Sequence, residues 1–169
     1  MALPRILTKF NVFHNGTSHL GEVAELVLPK LTRKVDEYRG GGMGGPVDLD
    51  LGNEKLELEA TYGGWMYDIL LQYGIAQIDG VLMRFAGAVQ RQDTGENDAV
   101  EIVVRGRHVE IDPGSAKAGE KGEFKVKSSL SYYKLVVNNV TLIEIDHINL
   151  VFVVGGTDLY AAQRRAIGL

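Results

Sequence analysis

A period of two runs through this chain and restricts what it can become. In Lys55-Leu56-Glu57-Leu58-Glu59-Ala60-Thr61-Tyr62 every second residue is apolar. Successive side chains of a strand point to opposite faces, so this run makes a strand with one dry and one wet side. A helix would need apolar residues three and four apart. Val100 to Arg107 repeats the pattern, with Val100, Ile102 and Val104 against Glu101, Arg105 and Arg107. A third run, Glu123 to Tyr133, puts Glu123, Lys125, Lys127, Ser129 and Ser131 on its polar side. Shorter strands are expected over Phe10 to His14, Glu22 to Leu28, Leu31 to Tyr38, Val81 to Gln90, Leu135 to Val137 and Thr141 to Ile145.

Turn chemistry separates these runs. Asn15-Gly16 and Asn138-Asn139 accept the positive φ angles of tight hairpins, so Phe10 to Leu20 and Leu135 to Ile145 read as two small hairpins. Asp93 to Asp98 reads as a hairpin loop. Two segments suggest helix. Met66 to Tyr73 carries an apolar stripe at Met66, Ile69, Leu70 and Tyr73, with Gly74 placed to stop it, and Asp158 to Ala166 has a Thr157 or Asp158 start and basic residues near its end. The predicted fold is mainly β: an antiparallel sandwich or barrel-like sheet with one or two short helices. It forms a single domain over residues 1–169, without a linker or fixed-period repeat.

Composition removes several function classes. With no cysteine there is no disulfide framework, thiolate catalysis or thiolate metal site. Lys and Arg total 18 against 22 Asp and Glu, a formal charge of -4, which argues against a dedicated nucleic-acid binder. Neither a leader peptide nor a run long enough to cross a membrane is expected from the sequence.

Candidate chemistry is sparse. Gly40-Gly41-Gly42-Met43-Gly44-Gly45-Pro46 has the composition of a phosphate cradle, but a proline and a strand follow it where a helix start is required. His108, Glu110 and Asp112 fall at two-residue spacing on one predicted strand face. They offer either a metal-assisted hydrolase site or an ordinary solvated strand end. Glu144, Asp146 and His147 carry the same two readings, and His14 and His19 flank the first hairpin. Trp65, Tyr67, Tyr132 and Tyr133 could serve a monomeric glycan-binding sandwich or act as core and interface anchors. No serine lies in a nucleophile elbow. No catalytic residue, metal or cofactor is expected.

Long strands with one apolar and one charged side leave open sheet edges, and open edges either are blunted or pair with another chain. Pairing edge to edge around a rotation axis would close many sheets into one barrel with a wet interior. Leu28 to Lys34, Tyr38 to Met43, Gly45 to Gly52, Arg84 to Gly87, Val104 to Arg107, Glu110 to Gly114, Lys117 to Lys121, Ser131 to Leu135, Glu144 to Asp146 and Arg164 to Leu169 resemble the tube proteins of contractile phage tails and R-type pyocins. The likeness runs nearly the whole length and is weakest from Gly63 to Gly80.

The resemblance implies a structural, non-enzymatic subunit whose hexameric rings, each copy giving four strands to a shared barrel, stack into a hollow tube. A contracting sheath would drive that tube through a bacterial envelope, making it a conduit for DNA or ions. It further implies as partners further copies of the chain, the sheath, baseplate and terminator proteins, and a tape measure in the bore. DNA would pass only transiently, without specific nucleic-acid binding or membrane insertion. The expected location is a virion tail or tail-like particle assembled in the host cytoplasm. Joined to the strand pattern, it makes Glu57, Glu59, Arg105, Arg107, Lys125 and Lys127 the lumen candidates. Gly40, Gly41, Gly42, Met43, Gly44, Gly45, Pro46, Asp48 and Asp50 become candidates for contact between stacked rings.

Overall fold

In a computed structural model, which describes residues 1–169, the chain forms twelve strands and two short helices. The strands are β1 (Arg5–His14), β2 (Thr17–Ser18), β3 (Val23–Val27), β4 (Arg33–Tyr38), β5 (Val47–Asn53) and β6 (Leu56–Tyr62). After helix α1 (Tyr67–Leu70) follow β7 (Val81–Arg91), β8 (Asn97–Asp112), β9 (Phe124–Val137), β10 (Val140–Asp146), β11 (Val151–Val154) and β12 (Thr157–Asp158). Helix α2 (Ala161–Ala166) closes the chain.

All pairings are antiparallel. The main path runs β12-β11-β10-β9-β8-β7-β1-β2, and β6 with β3 beside it attaches to the first half of β9. β9 therefore forks: Phe124 to Leu130 pair with β6, and Tyr132 to Val137 pair with β10. β8 divides similarly, since β7 covers Asn97 to Gly106 and no strand lies beside Arg107 to Asp112 on the side away from β9. The fork splits the sheet into a four-strand wing, β3-β6-β9-β8, and a larger wing carrying β1, β7, β10 and β11.

The dry sides of the two wings close on each other. Leu56, Leu58 and Leu130 meet Val12, Val81, Met83, Phe85, Ile102 and Val104 in one core. A second core, Ala60, Tyr62, Phe124 and Val126, takes Ile69 of α1, so α1 lies behind the four-strand wing. The junction between the wings requires a glycine at position 106. There the register slips, and a Cβ would stand 2.0 Å from the Ser129 carbonyl oxygen.

Both asparagine turns form as expected, with Asn15, Asn138 and Asn139 at positive φ. Some boundaries differ from expectation. Glu123 to Tyr133 and Leu135 to Val137 belong to one strand, β9. The first helix is a single turn, and the second starts only at Ala161. Thr157 and Asp158 pair with β11, and the Asp158 carboxylate accepts from Arg164 and the Tyr160 N–H, where a cap would serve the helix start.

Candidate assembly surface

The wet side of the four-strand wing gathers most of the charged alternation. Reading the registers across β3, β6, β9 and β8 gives one row of Glu25, Thr61, Lys125 and Asp112. A second row is Val27, Glu59, Lys127 and Glu110, and a third is Glu57, Ser129 and Arg107. Side chains directly opposite in such rows are close neighbours, and acids and bases alternate across them. Glu59, Glu110, Asp112, Lys125 and Lys127 line one shallow depression. A hydrogen bond from Lys55, at 3.1 Å, and the nearby Lys127 hold the Glu57 carboxyl below the usual range.

Five of the six residues selected from the sequence thus share one surface. Arg105 lies at the fork on the same side, opposite Tyr132, in a depression with Asp79 and Asp146. Glu25, Glu110 and Asp112 belong to the rows and were missed as part of this surface. Their registers depend on pairings that the period of two alone does not reveal.

The metal-ligand reading fails on geometry. An extra residue enters β8 between His108 and Glu110, where His108 opposes Ser128 and Glu110 opposes Lys127. His108 consequently points inward and is buried, while Glu110 and Asp112 face out. The predicted shared face does not exist, and no group of three or more His, Asp or Glu is arranged to hold a metal. Glu144 accepts from the Tyr132 hydroxyl at 3.1 Å, and Asp146 accepts from the Ile148 and Asn149 N–H groups of the following turn. The four aromatics also separate: Tyr133 is in the core, Tyr132 turns to Glu144, and Trp65 and Tyr67 are exposed near α1.

A second surface is the β4–β5 ribbon, which pairs with no other strand. Tyr38 opposes Val47 and Asp36 opposes Leu49, so Tyr38, Val47, Leu49 and Leu51 form one side together with Asp36, all exposed. Val35, Glu37, Asp48 and Asp50 form the other. Its tip is the glycine cluster, with Gly42 at a φ of +87° and open space around Gly41, Gly42, Gly44 and Gly45. At the base, Arg33 donates from Nε to both Asp50 oxygens at 3.1 and 2.9 Å and from Nη1 to Asn53 at 2.7 Å, and its guanidinium sits 5.1 Å over the Phe152 ring. Hydrogen bonds from the Gly52 N–H and Arg33 hold the Asp50 carboxyl below its ordinary range.

Comparison with known proteins gives a consistent result. The family model for phage tail tube protein FII matches residues 4–168. The tail tube protein of Escherichia phage P2 is 46% identical over 172 residues, covering 100% of both chains. The major tail tube protein of Serratia phage KSP20 is 39% identical over 162 residues, covering 95% of this chain and 93% of that one. Two solved structures share the fold at 12% identity. The first, a sheath/tube terminator structure of an extracellular contractile injection system, has a TM-score of 0.59 and is matched over 79% of this chain and 96% of that one. The second, a sheath-tube complex of such a system, has a TM-score of 0.57 with 79% and 90% covered.

Proposed function

This chain belongs to the phage tail tube protein FII family, and from that membership we propose how its two surfaces build a tube. It is a structural tail tube subunit, not an enzyme, and its place is the virion tail. Six copies close into a ring by joining their four-strand wings, wet sides inward. The rings stack into the inner tube of a contractile tail or tail-like particle, enclosed by a sheath.

The observation that carries this reading is the pair of open backbone edges on the four-strand wing. β3 has no partner outside β6, and Arg107 to Asp112 of β8 have none outside β9. Along β3-β6-β9-β8 the strand direction alternates, so β3 of one copy meets β8 of the next antiparallel, and the sheet continues without a break in polarity. Four strands from each of six copies, at ~4.8 Å apart, give a perimeter of ~115 Å and a backbone diameter of ~37 Å before tilt widens it. Side chains then leave a bore that admits duplex DNA.

On this reading Glu57, Glu59, Arg107, Lys125 and Lys127 line the bore, with Arg105 toward one end and Glu25, Glu110 and Asp112 added to the set. The alternating charges keep the lining hydrated and give a passing polyanion no continuous cationic track. Gly40 to Pro46, with Asp48 and Asp50, form the ribbon tip and polar side that reach the next ring. This contact is heterologous and so propagates into a filament, and length is then set by a tape measure, terminator and baseplate.

Electron microscopy of the purified protein tests the reading directly. Rings or tubes with a central hole are expected, with Lys125 and Lys127 on the inner wall. Monomers at every concentration, or a reconstruction with those lysines outside, would refute it.

A further inference from the structure

Three histidines that neither surface uses meet inside the subunit. His14 ends β1, His19 follows β2 and His108 precedes the bulge in β8, and all three are buried. The His14 ring centre is 5.1 Å from that of His19 and 5.9 Å from that of His108. Tyr62 of β6 brings its hydroxyl to His14 Nε2. The charged groups facing the cluster come from the segment around α1 and from the turn after His19. Asp68 lies 3.0 Å from His19 Nε2, off the angle of a hydrogen bond, and Glu22 lies 2.8 Å from His19 Nδ1.

His108 ties two layers together. Its Nε2–H donates to Gln72 Oε1 at 2.9 Å, just past α1, and its Nδ1 accepts from the Ser128 hydroxyl of β9 at 2.8 Å. That arrangement uses both nitrogens of a neutral ring. A second proton on Nδ1 would force the Ser128 hydroxyl to turn from donor to acceptor and would leave a charged ring in a buried site. His14 Nδ1 is buried with no partner, so a proton added to a neutral His14 would leave a charged ring with a nitrogen that no acceptor serves.

We propose that His14 and His108 are a proton-operated latch that fastens residues 63–80 to the back of the four-strand wing, closed while both rings are neutral and released when they take up protons. The segment holds to the wing through the apolar anchors Met66, Ile69 and Leu70, the polar contacts of Asp68 and Gln72, and a hydrogen bond from Arg107 Nη1 to the Ala76 carbonyl at 3.2 Å. Charging two rings this close in a dry interior sets them against each other and against their own desolvation. Release admits water to both, and the wing loses its backing at Tyr62 and Ser128.

The ionisation supports this direction. Burial, then the nearby His108 and His19, push the His14 ring down to about 3, and burial pushes His108 down to about 4. Both values lie below the ordinary 6.5, so the closed form binds fewer protons than the open one. The latch is at full strength above about pH 6.5, weakens steadily as pH falls below that value, and has lost all that His108 contributes by about 4 and all that His14 contributes by about 3.

Trp65, the only tryptophan, lies in the released segment and reports on it. Its fluorescence in the full-length protein, titrated from neutral to acid pH, is expected to show a transition that takes up close to two protons. His108→Gln keeps a neutral hydrogen-bonding group and should move the midpoint to lower pH with uptake nearer one; His14→Phe should do the same. An unmoved midpoint in both variants would assign the transition to carboxylates and overturn the latch. Should either variant fail to fold, hydrogen exchange of the wild type decides. Protection of residues 63–80 should drop at least about tenfold more than that of β7 between pH 7 and pH 5, and a uniform change refutes the proposal. The measurement needs no assembly, so its failure would leave the tube reading standing.

Discussion

β5 and β6 are neighbours in sequence, each of seven residues, and carry nearly the same alternation: Val47-Asp48-Leu49-Asp50-Leu51 in one, Leu56-Glu57-Leu58-Glu59-Ala60 in the other. Their fates differ. Leu56, Leu58, Ala60 and Tyr62 are buried, whereas Val47, Leu49 and Leu51 are exposed. The difference shows that alternation specifies a dry side without specifying what dries it. β6 finds its cover within the subunit. A two-stranded ribbon is marginal by itself, and the β4–β5 apolar side finds no cover within the subunit; on the proposed tube reading another copy would supply it.

The sharpest way to break this contrast is to delete comparable apolar groups from each region. Phe124 is fully buried beside Tyr62 and Ile69, with ring centres of Phe124 and Tyr62 6.2 Å apart. Phe124→Ala should cost about 3–5 kcal/mol in chemical denaturation of the subunit, because the cavity cannot collapse between the four-strand wing and α1. Leu49→Ala should change the same measurement by less than about 0.5 kcal/mol. A comparable loss at both positions would mean that the ribbon already has a partner inside the subunit.

The ribbon's own test is assembly. Replacing Val47 and Leu49 together by serine removes apolar area whose burial is worth about 1.5–3 kcal/mol per side chain. The subunit should denature as before, while the concentration needed to form tubes, read by sedimentation, rises at least about tenfold. Unchanged assembly would remove the ribbon's apolar side from the contact between copies, leaving only its tip and polar side.

How far the sequence revealed this division depends on the kind of interaction. The strands of the four-strand wing were legible in Leu56 to Tyr62 and Phe124 to Tyr133, because one-sided burial stamps a period of two on the residues. The Asn138-Asn139 turn was legible because few residues accept its backbone angles. The bulge in β8 was not. His108-Val109-Glu110-Ile111-Asp112 alternates without a break, yet the extra backbone residue turns His108 and Ile111 to the same dry side. β11 was missed because Val151-Phe152-Val153-Val154 has no alternation to read. Likewise, His14 and His108 stand far apart in sequence. The pairings of β1 with β7 and of β7 with β8 bring His14 level with Val104, four residues from His108, and the closing of the two wings on each other brings the rings together. Residues on the wet side showed which positions face solvent, but the rows joining Glu59 to Lys127 and Glu110 depend on register.

The smallest expected effect sits at the joint between the two regions. Arg33 is the ribbon's anchor, paired with Asp50 and Asn53 while lying over Phe152 of the larger wing. Its ion pair is exposed, with the two side chains 37% and 53% accessible, so screening and side-chain entropy remove most of its value to global stability. Arg33→Met keeps apolar contact with Phe152 and deletes the charge. Thermal unfolding should therefore barely move, while amide exchange in β4 and β5 quickens slightly at low salt. Near 1 M salt, where the screening length falls to about 3 Å, that excess should shrink. If the change persists at high salt, the hydrogen bond to Asn53 and the stacking on Phe152, rather than the charge on Asp50, hold the ribbon's base in place.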